Sequence, residues 1–164
     1  MKKKSSLSIL YIYLTLIIGL LLESTHWSKD IAVFKPHWLF LIFTYWVLAL
    51  PHRVNVLSGL FFGCFLDLLL DYPLGTNGFI FSLLSYFLAV RYQRLRNISI
   101  WKQSIVISIL CCFVVLGQYV ILDVFSKKSI LFNDETFYKV IVDFCLWPFI
   151  FLFLRNFRRK LSIR

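Results

Sequence analysis

The sequence predicts an all-α integral membrane protein of six transmembrane helices with both termini on the cytoplasmic side. Three observations lead there. The 164 residues are 60% hydrophobic and 19% aromatic, far above the roughly 45–50% apolar share of soluble domains, and the mean hydropathy is +0.79. Apolar stretches bounded by charge recur six times. Lys and Arg gather in alternate connections, thirteen of eighteen on one prospective side.

A hydrocarbon core needs about 20 helical residues, and roughly 17 suffice. The first apolar run, residues 7–22, follows the basic "MKKKSS" and closes on "LLLESTHWSKD". That close lacks a small-residue cleavage site, so the run reads as a retained span rather than a secretory leader. The second, residues 36–50, ends at the turn "LPHRVN", and the third, residues 54–70, begins within its last two residues. A short turn, "DYPLG", separates the third from the fourth, residues 76–90, which runs into the basic "RYQRLRNISIWK". The fifth covers residues 103–125 and the sixth residues 140–154, before the terminal "RNFRRKLSIR". Several are short at their uncharged limits and gain length where Trp, Tyr and the stems of Lys and Arg reach the headgroup region. Trp147 and Pro148 fall mid-span, where the missing N–H predicts a kink. The longest connections, residues 23–35 and 126–139, are too short for a domain, so residues 1–164 form a single polytopic unit.

Charge sets the orientation. Six spans place the four basic segments on one side, with thirteen bases and no acid. The other side has five bases and all eight acids. The positive-inside rule assigns the first side to the cytoplasm. It also accounts for the pI near 9.7: the bases flank spans, where they set topology and attract anionic lipid, and nucleic-acid binding is not expected.

Chemistry-bearing motifs are nearly absent. Cys64, Cys111, Cys112 and Cys145 lie within spans, away from an oxidising loop, and read as small apolar packers. No C-x-x-C spacing or Cys/His cluster is visible, and His26, His37 and His52 have no metal-like partner at i+3 or i+4. No nucleophile elbow, P-loop or dinucleotide fingerprint occurs. Neither an enzyme nor a cofactor or metal is expected.

The informative stretch is "GLFFGCFLDLLLDYPLG". Residues four apart share a helix face, so Gly59, Gly63, Asp67 and Asp71 form one ridge, beginning with the small-xxx-small pattern that allows close helix approach. Four of the six glycines lie between Gly59 and Gly78. Asp71, beside a turn, is expected at the outer interface. Asp123 has Lys127 at i+4 and Asp143 has Lys139 at i−4, so both read as interfacial ion pairs. Asp67 has no local base; its partner is another helix, a ligand, water or another protein.

These residues carry a resemblance. "GCFLDLLLDYPLG", with Gly63, Asp67, Leu74 and Gly75, resembles the signature of the rod shape-determining protein MreD family. "FKPHWLFLIFTYWVLALPHRVNV" resembles the second span and turn of its gammaproteobacterial members, carrying over Pro51, His52, Arg53 and Asn55. "YQRLRNISIW" and "LWPFIFLFLR" fit as well, so the resemblance covers nearly the whole chain. It implies a non-enzymatic inner-membrane component of the cell-elongation machinery, working with MreC, MreB, RodZ, RodA and its partner transpeptidase. It also implies a likeness to the substrate-binding subunits of energy-coupling-factor transporters. Asp71 departs from the pattern, since many members have a small residue there.

Two functions follow as expectations. In one, the chain assembles with MreC to regulate lateral peptidoglycan synthesis, with the ridge of Gly59 and Gly63, Asp67, or the Leu74-Gly75 turn at the contact. On the cytoplasmic side His52, Arg53, Asn55, Arg94 and Arg96 are candidates to meet anionic lipid or an acidic partner. In the other, Asp71, Asp123 and Asp143 line an outer pocket for a small molecule or lipid headgroup. No paired inverted repeats with broken helices accompany that second reading.

Overall fold

The computed structural model describes residues 2–25, 27, 34–126 and 134–161. Within them lie six helices: α1 (Lys2–Ser24), α2 (Trp38–Ala49), α3 (Val56–Leu69), α4 (Thr76–Asn97), α5 (Ile100–Ser126) and α6 (Asp134–Lys160). By length and composition α5 (Ile100–Phe125) and α6 (Phe137–Lys160) are long and apolar enough to cross a membrane, whereas α1, α2 and α3 supply shorter apolar helices. This all-helical architecture is consistent with a membrane protein.

α2 is the axis. Its sequence, "WLFLIFTYWVLA", is apolar on every face, and residues 39–48 are buried without a break, as expected for a helix with neighbours all round. It packs against α1, α4 and α6, while α3 joins α1 to α4 and α5 joins α4 to α6. Tyr11 of α1 meets Phe157 of α6 edge-on at 6.3 Å, closing a ring of five helices around the sixth. Aromatic pairs fasten α2 to this ring: Phe43 stacks on Phe81 at 5.6 Å, and Tyr45 meets Phe151 at 5.6 Å. A buried hydrogen bond from Trp46 Nε1 to Thr15 Oγ1, 2.8 Å, ties α2 to α1.

Sequence explains the bounds of α2. Pro36 and Pro51 flank it, and proline disfavours a helical conformation in the residue before it and supplies no N–H. Twelve residues rise about 18 Å, well short of a hydrocarbon core of about 30 Å. α3 begins on a capping box: Asn55 Oδ1 accepts from the N–H groups of Leu57 and Ser58, and Ser58 Oγ accepts from Asn55 N–H.

Two helices differ from expectation. α4 continues to Asn97 rather than stopping near residue 90, and α6 spans Asp134–Lys160 rather than 140–154. The basic stretches expected as connections are therefore largely helical. Arg and Lys are good helix formers, and in the last turns of α4 and α6 their charge complements the negative end of the helix dipole. Pro148 sits inside α6, where it cannot donate to the carbonyl of Phe144.

Candidate functional site

Among the described residues three acids, Glu23, Asp67 and Asp143, serve helix N-termini that lack caps of their own. α4 opens on Gly75, which has no side chain to cap with. Asp67, fully buried near the end of α3, does that work from the neighbouring helix. Its Oδ2 accepts from Gly75 N–H at 2.9 Å and Gly78 N–H at 3.4 Å. Its Oδ1 accepts from Asn77 N–H at 2.9 Å and Asn77 Nδ2 at 2.8 Å. The first N–H groups of a helix have no intrahelical partner and carry partial positive charge, so a carboxylate placed there is satisfied without a base.

The α3–α4 approach that makes this possible needs the glycines. A Cβ on Gly63 would fall 2.5 Å from the Asn77 carbonyl oxygen and from Gly78 N, and one on Gly59 would fall 2.7 Å from the Phe81 carbonyl oxygen. Gly78 faces back, 2.7 Å from Cys64 Sγ by the same measure. The ridge therefore faces α4 of the same chain. On its opposite side α3 exposes Leu57, Leu60, Phe61, Phe65 and Leu68. In the turn, Gly75 has φ +98° and Asp71 has φ +53°. Asp71 follows the last helical residues of α3 while Tyr72 N–H returns to the Asp67 carbonyl at 3.0 Å, the six-to-one bond of a Schellman close. Asp71 and Leu74 are exposed, Leu74 at 69%.

α2 is capped from two other helices. Its N-cap, His37, makes no side-chain cap bond. Asp143 of α6, fully buried, accepts from His37 N–H at 3.0 Å and pairs with His37 Nδ1 at 2.7 Å. Glu23 of α1 accepts from Leu39 N–H at 3.3 Å. Cys111 of α5 donates to Asp143 Oδ2 at 3.0 Å. The side-chain partner of Asp143 is thus His37 rather than Lys139, because the carboxyl faces the bundle interior. The sequence shows no Cys/His cluster, yet His37, Cys111 and Asp143 bring one ligand-type atom each within 4.8 Å. Residues this far apart in the chain leave no local spacing to read. Their separations are those of hydrogen bonds, and the three groups satisfy one another. Asp123 is exposed, and Lys127, its expected partner, lies outside the described residues, as does His26.

Next to this network a cavity of about 320 Å³ is lined by Glu23, Lys35, His37, Tyr72, Gln118, Tyr119 and Lys139 over an apolar floor that includes Leu39, Phe40 and Phe81. Lys35 Nζ donates to the Glu23 and Thr25 carbonyls at the end of α1. Gln118 Nε2 donates to Asn77 Oδ1 at 2.6 Å, so the cavity wall is wired through Asn77 to Asp67. Asp71 and Asp123, two of the three acids expected in an outer pocket, are not among its lining residues, and Asp143 stands behind His37.

At the opposite end, His52 is exposed and the turn closes through Arg53 N–H and Val54 N–H to the Leu50 carbonyl at 3.0 and 3.1 Å. Asn55 is the α3 cap, and both Arg94 and Arg96 are exposed in the last turn of α4.

Comparison with known proteins fixes the family. The family model for the rod shape-determining protein MreD matches residues 3–157. The chain belongs to the MreD family of rod shape-determining proteins. It is 33% identical over 147 residues to the rod shape-determining protein MreD of Haemophilus influenzae, an alignment covering 90% of each chain. No solved structure matches it, so the likeness to transporter subunits rests on the family resemblance alone. The residues that carry the resemblance have definite structural roles: Gly63 permits the α3–α4 approach, Asp67 caps α4, and Gly75 makes the turn.

Proposed function

We propose that this MreD protein is a non-enzymatic, six-span component of the inner-membrane rod complex, with both termini in the cytoplasm, that assembles with MreC to regulate lateral peptidoglycan synthesis. The observation that carries the reading is the family match along almost the whole chain. MreB, RodZ, RodA and its partner transpeptidase are the further members of the complex. The basic segments face the cytoplasm, where they set topology and meet anionic lipid.

On this reading MreC docks on the outward side of α3 and the turn that follows it. Gly59, Gly63 and Asp67 face inward and shape the α3–α4 hairpin, which leaves Leu74 as the exposed signature residue, beside the outward stripe of Leu57, Phe61, Phe65 and Leu68. Co-purification from native membranes tests this. Leu68→Ala with Leu74→Ala, at normal abundance, is expected to lose MreC and rod shape, while Phe113→Ala with Val120→Ala on α5 keeps both. Retention of MreC and of cell shape in the first pair would overturn the docking surface.

The cavity at the acidic end favours a second reading, a small-molecule or lipid-headgroup pocket in the outer half. Its mixed lining of Glu23, Lys35, His37, Gln118 and Lys139 suits a polar group bearing both charge signs or hydrogen-bonding groups. A thermal shift on adding lipid-linked cell-wall precursors to the purified protein, abolished by Gln118→Leu, supports it. No shift across the precursor series counts against it.

A further inference from the structure

At the basic end a second cavity, of about 240 Å³, lies between the closing turns of α2, α4 and α6 and the opening of α5. Arg96, Arg155 and Arg158 line it, with Tyr45, Gln103 and Phe151, and no acidic side chain is among the lining residues. Guanidinium groups gathered on one concavity repel one another unless an anion lies between them, and their planar forks suit phosphate oxygens.

Two buried polar atoms make the same point independently. Tyr45 and Gln103 are each 2% exposed, and Tyr45 Oη and Gln103 Oε1 have no hydrogen-bond partner. The Gln103 amide is held in place, because Nε2 donates to the carbonyls of Leu95 at 2.8 Å and Ile98 at 3.4 Å at the close of α4. Oε1 is left as an acceptor that needs a donor. A ligand that satisfies the whole wall is therefore an anion that also carries a hydroxyl.

We propose that this cavity binds the headgroup of an anionic phospholipid, its phosphodiester among Arg96, Arg155 and Arg158 and its hydroxyl directed to Gln103 and Tyr45. Phosphatidylglycerol has this chemistry. The lipid source rests on reading the basic end as cytoplasmic. It also fits α6, where exposed Leu152 and Phe153 adjoin Phe151 and Arg155 and offer a path for acyl chains. The competing account is that the arginines serve only the carbonyl ends of helices, as Arg158 Nη1 does toward the Ala49 carbonyl at 3.5 Å.

The test uses the full-length protein in mild detergent, with bound lipid counted by native mass spectrometry, and so is independent of MreC and of topology. Phosphatidylglycerol is expected to be retained about ten-fold over phosphatidylcholine, with soluble glycerophosphoglycerol competing poorly. Retention falls in Arg155→Gln, whose exposed position spares folding, and is lost in Arg96→Gln/Arg155→Gln/Arg158→Gln. It is unchanged in Lys102→Gln/Arg159→Gln, two bases that do not line the cavity. Equal loss in both sets, or no preference over phosphatidylcholine, overturns the site. Competition by soluble glycerophosphoglycerol or inorganic phosphate as effective as the lipid overturns the lipid source.

Discussion

Asp67, Asp143 and Glu23 share a physical role that their charge alone does not suggest. Each sits near the end of the bundle where α2 and α4 begin, and each accepts from backbone N–H groups of a helix other than its own. A carboxylate in this setting is stabilised by unpaired donors and by the helix dipole, each helix-end effect contributing roughly 0.5–2 kcal/mol. Beside Asp67 the turn residues follow from backbone conformation. Substitution by Ala of Gly75, at φ +98° with open space where a Cβ would sit, should cost about 1–2 kcal/mol purely through the left-handed backbone. Asp71, at φ +53°, tolerates this region better than most residues. Asp71→Gly is expected to leave thermal unfolding in detergent unchanged or slightly raised, and Asp71→Val to lower it. Equal effects of the two would remove the conformational reading of this position.

At the level of elements, the α3–α4 hairpin and α2 carry the design. The hairpin depends on the absence of side chains at its crossing, so Gly63→Leu must drive a side chain against the backbone of Asn77 and Gly78. Overpacking of this kind costs about 1–3 kcal/mol, and more where backbone must shift. The expected outcome is a large drop in folded protein, whereas Leu57→Ala on the outward side leaves abundance near normal. The same substitutions read by membrane abundance check the facing of α3 directly; equal loss at both positions would contradict it. α2 behaves as a buried axis, and His37→Ala, which removes the Asp143 pair while leaving its N–H bond, is expected to destabilise less than Asp143→Ala, which removes both and strands Cys111. A larger loss for His37→Ala, by thermal unfolding, would reverse that ranking.

For the whole molecule, the shortness of α2 is the organising fact. About 18 Å of helix at the centre of longer neighbours leaves a concavity at each end, one lined by His37, Leu39 and Phe40, the other by Tyr45, Leu48 and Ala49. Six apolar stretches, the "LPHRVN" turn and the glycine ridge were legible because each is a local pattern in hydropathy, proline or small-residue spacing. The lone standing of Asp67 was also legible, since no base lies within a helical turn of it. Its partner was not, because the donors are backbone N–H groups and the Asn77 side-chain amide, eight to eleven residues away across a turn. Nor could spacing reveal that Asp143 meets His37 across 106 residues, or that Arg96 and Arg155 share a cavity while Arg94 does not. Packing, rather than local pattern, decides each of these. The proposed orientation makes its own prediction: a reporter fused after residue 98 is active only in the cytoplasm, and one inserted at residue 73 only outside. The opposite pattern would invert the charge argument.

The most direct test of carboxylates as caps borrowed between helices is the stability of Asp67→Ala, measured together with the MreC recovered per folded molecule. Loss of the side chain strands buried N–H groups of α4, each costing roughly 1–3 kcal/mol. The account predicts a protein clearly less stable to heat or denaturant that still carries its normal share of MreC once folded. A protein of unchanged stability that no longer carries MreC would contradict it, and would make Asp67 a partner contact instead of the cap of α4.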